Sequence, residues 1–227
     1  MILGVIPARL NSTRFPSKVI FPLKGKPIIE HVYEKALQSK LLNKVIVAVD
    51  SEETRNVINC QNIMMTSDKH QSGTDRVAEV ADNFDCDVVV NIQGDEPGIN
   101  PLLIDQLIQL FEDPDVEMAS IASTDLKEDD LNNDNVVKVN LDEENNAISF
   151  IRNNLNPEST YYRHIGIYAY RKNTLNLFTS LSQSDNEKNH RLEQLRALDN
   201  NIAIKLLISD FSRRSIDVKE DLKNYEN

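Results

Sequence analysis

Apolar runs and segments of helical period alternate through the first half of the chain. Residues 2–6 (ILGVI) form an unbroken apolar run, the pattern of a strand buried on both faces. Residues 27–39 (PIIEHVYEKALQS) place apolar side chains at 28, 29, 32, 33, 36 and 37, which line one face of a helix. Residues 45–49 predict a second strand ending at Asp50, residues 52–59 a short helix and residues 63–65 a third strand. Residues 74–84 (TDRVAEVADNF) are again helical, with Val77, Val80, Ala81 and Phe84 on one side. The run at 88–92 is the strongest buried strand, and 101–111 is a helix with proline in its first turn. This β-α-β-α order predicts a mostly parallel sheet covered by helices on both faces.

The pattern changes in the second half. Residues 117–124 and 136–141 predict strands, DEENN at 142–146 a turn-rich connector, and 147–151 a returning strand, so that 136–151 reads as a hairpin. Residues 163–170 alternate: His164, Gly166, Tyr168 and Tyr170 share one face, Ile165, Ile167 and Ala169 the other. A helix from about 187 to 199, a strand at 202–208 and a short acidic helix complete the order. No repeat, linker or low-complexity tract divides the chain, so residues 1–227 read as one domain.

Composition narrows the function. Hydrophobic residues make up 40%, enough for a core of Ile, Leu and Val without tryptophan. A net charge of -11 argues against nucleic acid as a partner, which needs a broad cationic surface. No apolar run approaches the roughly 18 residues that cross a bilayer, and the first run is too short for a signal peptide. Cys60 and Cys86 fit free thiols in a reducing compartment, so the expectation is a cytoplasmic protein with no membrane partner.

The charge is unevenly placed. Residues 1–26 contain Arg9, Arg14, Lys18, Lys24 and Lys26 and no acid, so that segment is +5 and the remainder -16. Three of these cations lie in PARLNSTRFPSK, which leaves the carboxyl end of the first strand. Ligands of open α/β sheets bind at that end. The loop has no glycine, which excludes both the dinucleotide fingerprint and the P-loop, where backbone amides cradle phosphate. Phosphates held here must meet side chains: Arg9, Arg14 and Lys18, with Ser12 and Thr13 as hydroxyl donors.

Gln93-Gly94-Asp95-Glu96-Pro97 leaves the strand 88–92 at the same edge. Gly94 suits a tight or positive-φ turn, and Asp95 is a hard oxygen ligand of the kind Mg²⁺ shares with substrate phosphates. Asp217 is a second candidate carboxylate, with a helix N-cap as its plain alternative. Ser72 or Thr74 in HQSGTDR caps the helix that follows. His164 fits a polar binding face or a structural role. Asp85-Cys86-Asp87 has the D-x-D spacing of many glycosyltransferases, but it precedes its strand and so falls at the wrong end of the sheet.

Taken in order, PAR-x-x-STR-x-P-x-K, HQSGTDR, VNIQGDEP, RHIGIYAYR and LEQLRAL resemble the 3-deoxy-manno-octulosonate (Kdo) cytidylyltransferases, over nearly the whole chain. The resemblance implies a Rossmann-like, mostly parallel α/β fold of the nucleotide-diphospho-sugar transferase type, with a smaller antiparallel element that forms a homodimer, here about residues 125–165. It implies transfer of CMP from CTP to an acidic 3-deoxy-2-ulosonic sugar, with release of pyrophosphate, in lipopolysaccharide or capsule synthesis. Arg9, Arg14 and Lys18 would grip the triphosphate. Ala8, Ser72, Gly73 and Arg76 would help hold the cytidine. Asp95 and Asp217 would bind Mg²⁺, and Gln93, Arg152, His164, Tyr168 and Gln194 would face the sugar.

The chain departs from the family pattern in four places. Ser17 stands where glycine is usual. IDVKEDL replaces VDTPEDL, keeping Asp217 but not the threonine and proline. IRNNLNP replaces SR-x-x-IP, keeping Arg152 and Pro157. His190 stands where a glutamate is common, ahead of LEQLR. The last two changes bear on the sugar, and an 8-amino form of Kdo joins Kdo as a candidate substrate. A sialic-acid-type sugar, a glycosyltransferase-like enzyme and a non-catalytic nucleotide-binding regulator are the alternatives.

Overall fold

β1 (Ile2–Ala8) runs through the centre of a parallel sheet, flanked in register by β4 (Lys44–Val49) on one side and β6 (Val88–Asn91) on the other. β5 (Ile63–Met65) continues beyond β4. The computed structural model describes residues 1–10 and 15–225. It divides into two units, Met1–Ile108 joined by the C-terminal segment from Arg213, and Gln109–Ser212.

In the first unit the order β6-β1-β4-β5 follows from the apolar runs. Leu3, Val5, Ile6, Val47, Val49, Val89 and Val90 have no measurable exposure. Each such side chain contributes about 1.5–3 kcal/mol through burial, and helices must cover both faces to achieve it. They are α1 (Ile28–Ala36), α2 (Glu52–Val57), α3 (Gly73–Ala81) and α4 (Pro101–Gln109). α1 buries Ile28, Ile29, Val32, Tyr33 and Ala36, the stripe its spacing predicts. A two-residue turn at Lys24 and Gly25, both at positive φ, joins the small antiparallel pair β2 (Pro22–Leu23) and β3 (Lys26–Pro27). The C-terminal segment returns here: Ile216 and Leu222 pack with Phe15, Leu23 and Ile28.

Strands β4 and β5 extend from β1 in one direction, and the chain then crosses to place β6 on the other side. The sheet therefore has a switch point between β1 and β6, where the loops after the two strands diverge and leave a crevice. The basic loop and the QGDEP turn emerge at that point. D-x-D lies at the opposite end, where the Asp87 amide bonds the Met1 carbonyl at 2.8 Å.

The second unit is built differently. β7 (Met118–Ser123) pairs in parallel with β11 (Ile204–Ser209) and antiparallel with β10 (Tyr162–Arg171). β8 (Lys138–Leu141) and β9 (Ala147–Ile151) form the expected hairpin, and β8 also pairs with β10. Asp142 explains the hairpin connection. Its carboxylate accepts the amides of Glu144 at 2.9 Å and Asn146 at 2.7 Å, while Asn145 takes φ 64°. α5 (Glu128–Leu131) and α6 (Lys172–Ser180) have no counterpart in the expected elements.

The helix expected over 187–199 is two helices, α7 (Asp185–His190) and α8 (Leu195–Asp199). Arg191 turns left-handed at φ 55° and closes α7, and the following Leu192 is buried. The reversal lets Glu187 on α7 meet Arg196 on α8. The last helix is a 3-10 segment, Lys219–Tyr225.

Candidate active site

At the carboxyl edge of the parallel sheet, Ala8, Val49 and Met65 stand abreast in register. Arg9, Asp50 and Thr66 therefore leave neighbouring strands together. Ala8 is fully buried and Arg9 is exposed. Arg14, expected to grip phosphate, lies outside the described residues, as do Ser12 and Thr13.

The loop's two stems are tied to each other: the Ser17 amide donates to the Leu10 carbonyl at 3.2 Å. Ser17, at the family's glycine position, adopts φ 56°, ψ 26° and leads into a 3-10 turn at Lys18–Ile20. A left-handed residue there explains the usual glycine, and serine holds the same backbone at some cost in strain. Lys18 is buried, with its ammonium 2.6 Å from Asp95 Oδ2.

The QGDEP turn approaches the end of β1 closely. A Cβ on Gly94 would fall 2.9 Å from the Pro7 carbonyl oxygen and 3.1 Å from Ile29 Cδ1. Of the tight or positive-φ turn expected, Gly94 supplies the tight one, and the space for it; Gly25 is the glycine with positive φ among the described residues. Gln93 donates to Asn91 Oδ1 at 3.3 Å. The Ile216 amide donates to the Asp95 carbonyl at 2.9 Å, so the backbone joins the segment carrying Asp217 to the turn carrying Asp95. Asp217 stands two residues ahead of the last helix, which begins at Lys219. The Asp221 carboxylate accepts the amides of Asp217 and Val218 at 2.8 and 2.9 Å.

Asp95 and Asp217 offer hard oxygen donors on adjoining backbone. Among the described residues no group of three or more His, Cys, Asp or Glu is placed to hold a metal. Such a pair fits Mg²⁺, which takes one or two carboxylates and completes its shell with substrate phosphates and water.

Ser72, rather than Thr74, caps α3. Its hydroxyl accepts the Asp75 amide at 3.1 Å, and Asp75 accepts the Ser72 amide at 3.0 Å, a capping box. Gly73 begins the helix against Pro7. Arg76 is turned inward at 3% exposure. Its guanidinium meets Thr66 Oγ1, the Ser67 carbonyl at 3.2 Å and Asp50 at 3.3 Å. Burial lowers its pKa, against the attraction of Asp50 and Glu79. Glu79 in turn accepts the Ser67 amide at 2.9 Å and faces His70 Nε2 at 2.5 Å. This network was not foreseen, and its one sequence signal is Asp50 at a strand's carboxyl end.

In the second unit, His164 Nε2 lies 2.9 Å from Ser120 Oγ, and its ring packs on Phe150 and Tyr168. The Ser120 hydroxyl also reaches the Ile165 and Ile167 carbonyls at 3.2 and 2.9 Å. Burial, assisted by the Arg163 and Arg152 charges, pushes the histidine pKa down to about 3 and keeps it neutral. Tyr168 titrates well above its ordinary range because it is buried near Tyr170 and Glu193.

Arg152 donates to the Asp134 carbonyl at 2.8 Å. Lys138, also unforeseen, is fully buried with its ammonium on the carbonyls of Asn133, Val136 and Arg152. Gln194 is buried and His190 exposed. Glu187 and Arg196 form a buried two-point pair at 2.8 and 2.6 Å.

A Rossmann-like sheet with cationic and carboxylate loops at its switch point defines a nucleotidyltransferase. The cytidylyltransferase family model matches residues 3–206. A 3-deoxy-manno-octulosonate cytidylyltransferase of Thermodesulfovibrio yellowstonii is 40% identical, covering 96% of this chain and 94% of the relative. One of Chloroherpeton thalassium is 41% identical over 96% of this chain and 93% of its own. A solved structure of CMP:2-keto-3-deoxy-manno-octonic acid synthetase complexed with CTP aligns with a TM-score of 0.93 at 33% identity, covering 99% of this chain and 96% of that one. The chain belongs to the 3-deoxy-manno-octulosonate cytidylyltransferase family and is a cytidylyltransferase. A 4-diphosphocytidyl-2C-methyl-D-erythritol synthase of Anaerococcus prevotii, 13% identical with a TM-score of 0.66 over 99% of this chain and 96% of its own, shares the fold.

Proposed function

We propose that the protein transfers CMP from CTP to the anomeric hydroxyl of 3-deoxy-manno-octulosonate, releasing pyrophosphate. The observation that carries this reading is the Lys18–Asp95 contact at the β1/β6 switch point, a cation and a metal-type carboxylate facing each other where a triphosphate would lie. The structure of the relative complexed with CTP, with a TM-score of 0.93, supports the nucleotide.

In this mechanism the hydroxyl oxygen forms a bond to the α-phosphorus, the bond from that phosphorus to the oxygen bridging to the β-phosphate breaks, pyrophosphate leaves with that oxygen, and the hydroxyl proton passes to water. Such a step needs positioning and charge neutralisation more than a covalent nucleophile. Lys18 and Arg9, with Arg14, neutralise the departing pyrophosphate. Ala8, Ser72 and Gly73 line the cytidine, with Arg76 behind them. Asp95 and Asp217 would hold Mg²⁺, which supplies charge neutralisation on the phosphates when bound. The acidic sugar is assigned to Gln93, Arg152, His164, Tyr168, His190 and Gln194, and a neutral His164 imposes no charge preference of its own.

The same reading includes a cytoplasmic homodimer serving lipopolysaccharide synthesis. The free thiol at Cys60 supports the compartment. No helix among the described residues is long and apolar enough to cross a membrane. Support for the dimer comes from β9, which pairs only with β8 among the described strands and exposes Ile148 at 57%.

The test is pyrophosphate release from CTP with Mg²⁺ and a panel of Kdo, its 8-amino analogue and a sialic acid. Release with Kdo is expected. Release only with the 8-amino sugar would move the assignment to that sugar, and silence with all three would overturn it. Sedimentation of the protein, with Ile148→Asp as the comparison, decides the dimer.

A further inference from the structure

Asp50 lies between the root of the basic loop and the segment that opens α3. One carboxylate oxygen accepts the Leu10 amide at 3.0 Å, and the other accepts the Arg76 guanidinium at 3.3 Å. The Asp50 side chain is 12% exposed, so water competes little for either bond. Leu10 in turn accepts the Ser17 amide through its carbonyl, beside Lys18. The fix that Asp50 gives to one stem of the loop therefore reaches the other.

The second arm runs the opposite way. Arg76 bridges to Thr66 and Ser67, immediately after β5. The Thr66 hydroxyl donates to the Val49 carbonyl at 2.9 Å, and the Ser67 amide is held by Glu79. These contacts pin the start of the 66–72 segment, which ends on the cap of α3. A carboxylate suits the junction because it offers two acceptors on a short rigid arm, one for an amide and one for a guanidinium. Asparagine satisfies one donor and turns its own N–H groups toward the other.

We propose that Asp50 is a positioning residue for CTP: it locks the root of the triphosphate loop to the cap of α3, so that phosphate and nucleoside contacts are presented at a fixed spacing. The inference rests on the reading of these two segments as the CTP site. Preorganisation of this kind acts on nucleotide affinity and leaves the sugar untouched.

The experiment compares wild type with Asp50→Asn, Asp50→Glu and Arg76→Lys. CTP binding is measured by calorimetry without sugar, KM for CTP and for sugar and kcat by pyrophosphate release, and thermal midpoints alongside. Loss of one charge-assisted bond should weaken CTP binding about tenfold in Asp50→Asn, with the KM for sugar unchanged. Asp50→Glu, which keeps both acceptors, should recover part of that loss, and Arg76→Lys should resemble Asp50→Asn. The proposal is overturned if folded Asp50→Asn binds CTP like wild type. It is also overturned if both KM values rise together, or if kcat collapses with CTP affinity intact. Should wild type bind CTP but release no pyrophosphate, loss of CTP binding in Asp50→Asn would still support the positioning role, and only the assigned reaction would fail.

Discussion

In the first unit one charged pair sits at strand ends, where Lys18 faces Asp95 across loops with side chains 10% and 23% exposed. In the second unit another is sealed inside, Glu187 with Arg196 at 6% and 5%. Arg196 there also stacks over the Phe178 ring. A phosphate or a metal ion can displace a partner in the first arrangement, whereas nothing can replace the partner in the second without unfolding. Charge of the first kind is available for chemistry, and charge of the second kind holds α7 against α8.

Substitutions can break this contrast, and the largest effect should come from the pair at the strand ends. Asp95→Asn should lower pyrophosphate release by about a thousandfold or more, since a metal-holding carboxylate supplies several kcal/mol in the transition state. Its thermal midpoint should stay near wild type. Equal activity in Asp95→Asn would remove Asp95 from the chemistry.

Glu187→Ala should behave in reverse. It leaves the Arg196 charge buried without its partner, which costs about 3–5 kcal/mol in stability by denaturant titration, with CTP affinity retained. The double variant Glu187→Leu with Arg196→Met should regain most of the loss. A single variant as stable as wild type would show that the pair does not hold the helices.

Gly94→Ala tests the close approach at the switch point. Its Cβ would meet the Pro7 oxygen at 2.9 Å, backbone that cannot step aside as a side chain can. A cost of about 1–3 kcal/mol is expected, with a rise in KM for CTP, because the shift moves Asp95. A variant with unchanged KM would detach Gly94 from the site.

The buried histidine gives a pH signature. His164 titrates near 3 in the folded protein against an ordinary 6.5. Between those values the unfolded chain binds the extra proton, so this stability is complete above about pH 6.5 and falls as pH drops toward 3. His164→Gln should flatten that part of a stability-against-pH curve, and an unaltered slope would mean the ring is solvated.

The smallest effect expected is from Ser17→Gly, which relieves a left-handed serine. It should stabilise by about 1 kcal/mol with CTP kinetics unchanged. A loss of stability would show that the serine hydroxyl compensates the strain.

Much of the fold was legible because burial imposes a period. The runs at 2–6, 45–49 and 88–92 could be read as strands because side chains on both faces of a parallel sheet are apolar. The α1 stripe was readable for the same reason. The break at Arg191 was not, since 187–199 keeps helical character in its residues and only the packing of Leu192 and the Glu187–Arg196 pair demands a reversal. At the site, the loops carrying Lys18 and Asp95 were legible from their place after strands. Asp50 was legible as a carboxylate after a strand, but its bonds to Leu10 and Arg76, 40 and 26 residues away, were not. Glu79 and Lys138 were not legible, because polar residues in helical or strand patterns read as solvated until the fold buries their partners.

The sequence alone determined the alternation of strands and helices, the carboxyl-edge position of PARLNSTRFPSK and QGDEP, and the family, since these rest on local period and on contiguous motifs. Tertiary structure decided which side of β1 receives β6, that Arg76 turns inward onto Asp50, that Gly94 serves space rather than φ, and that His164 stays neutral. Each of these depends on what lies across a packed interface. That neighbour is fixed by the sum of all burial in the fold, which no short stretch of residues encodes.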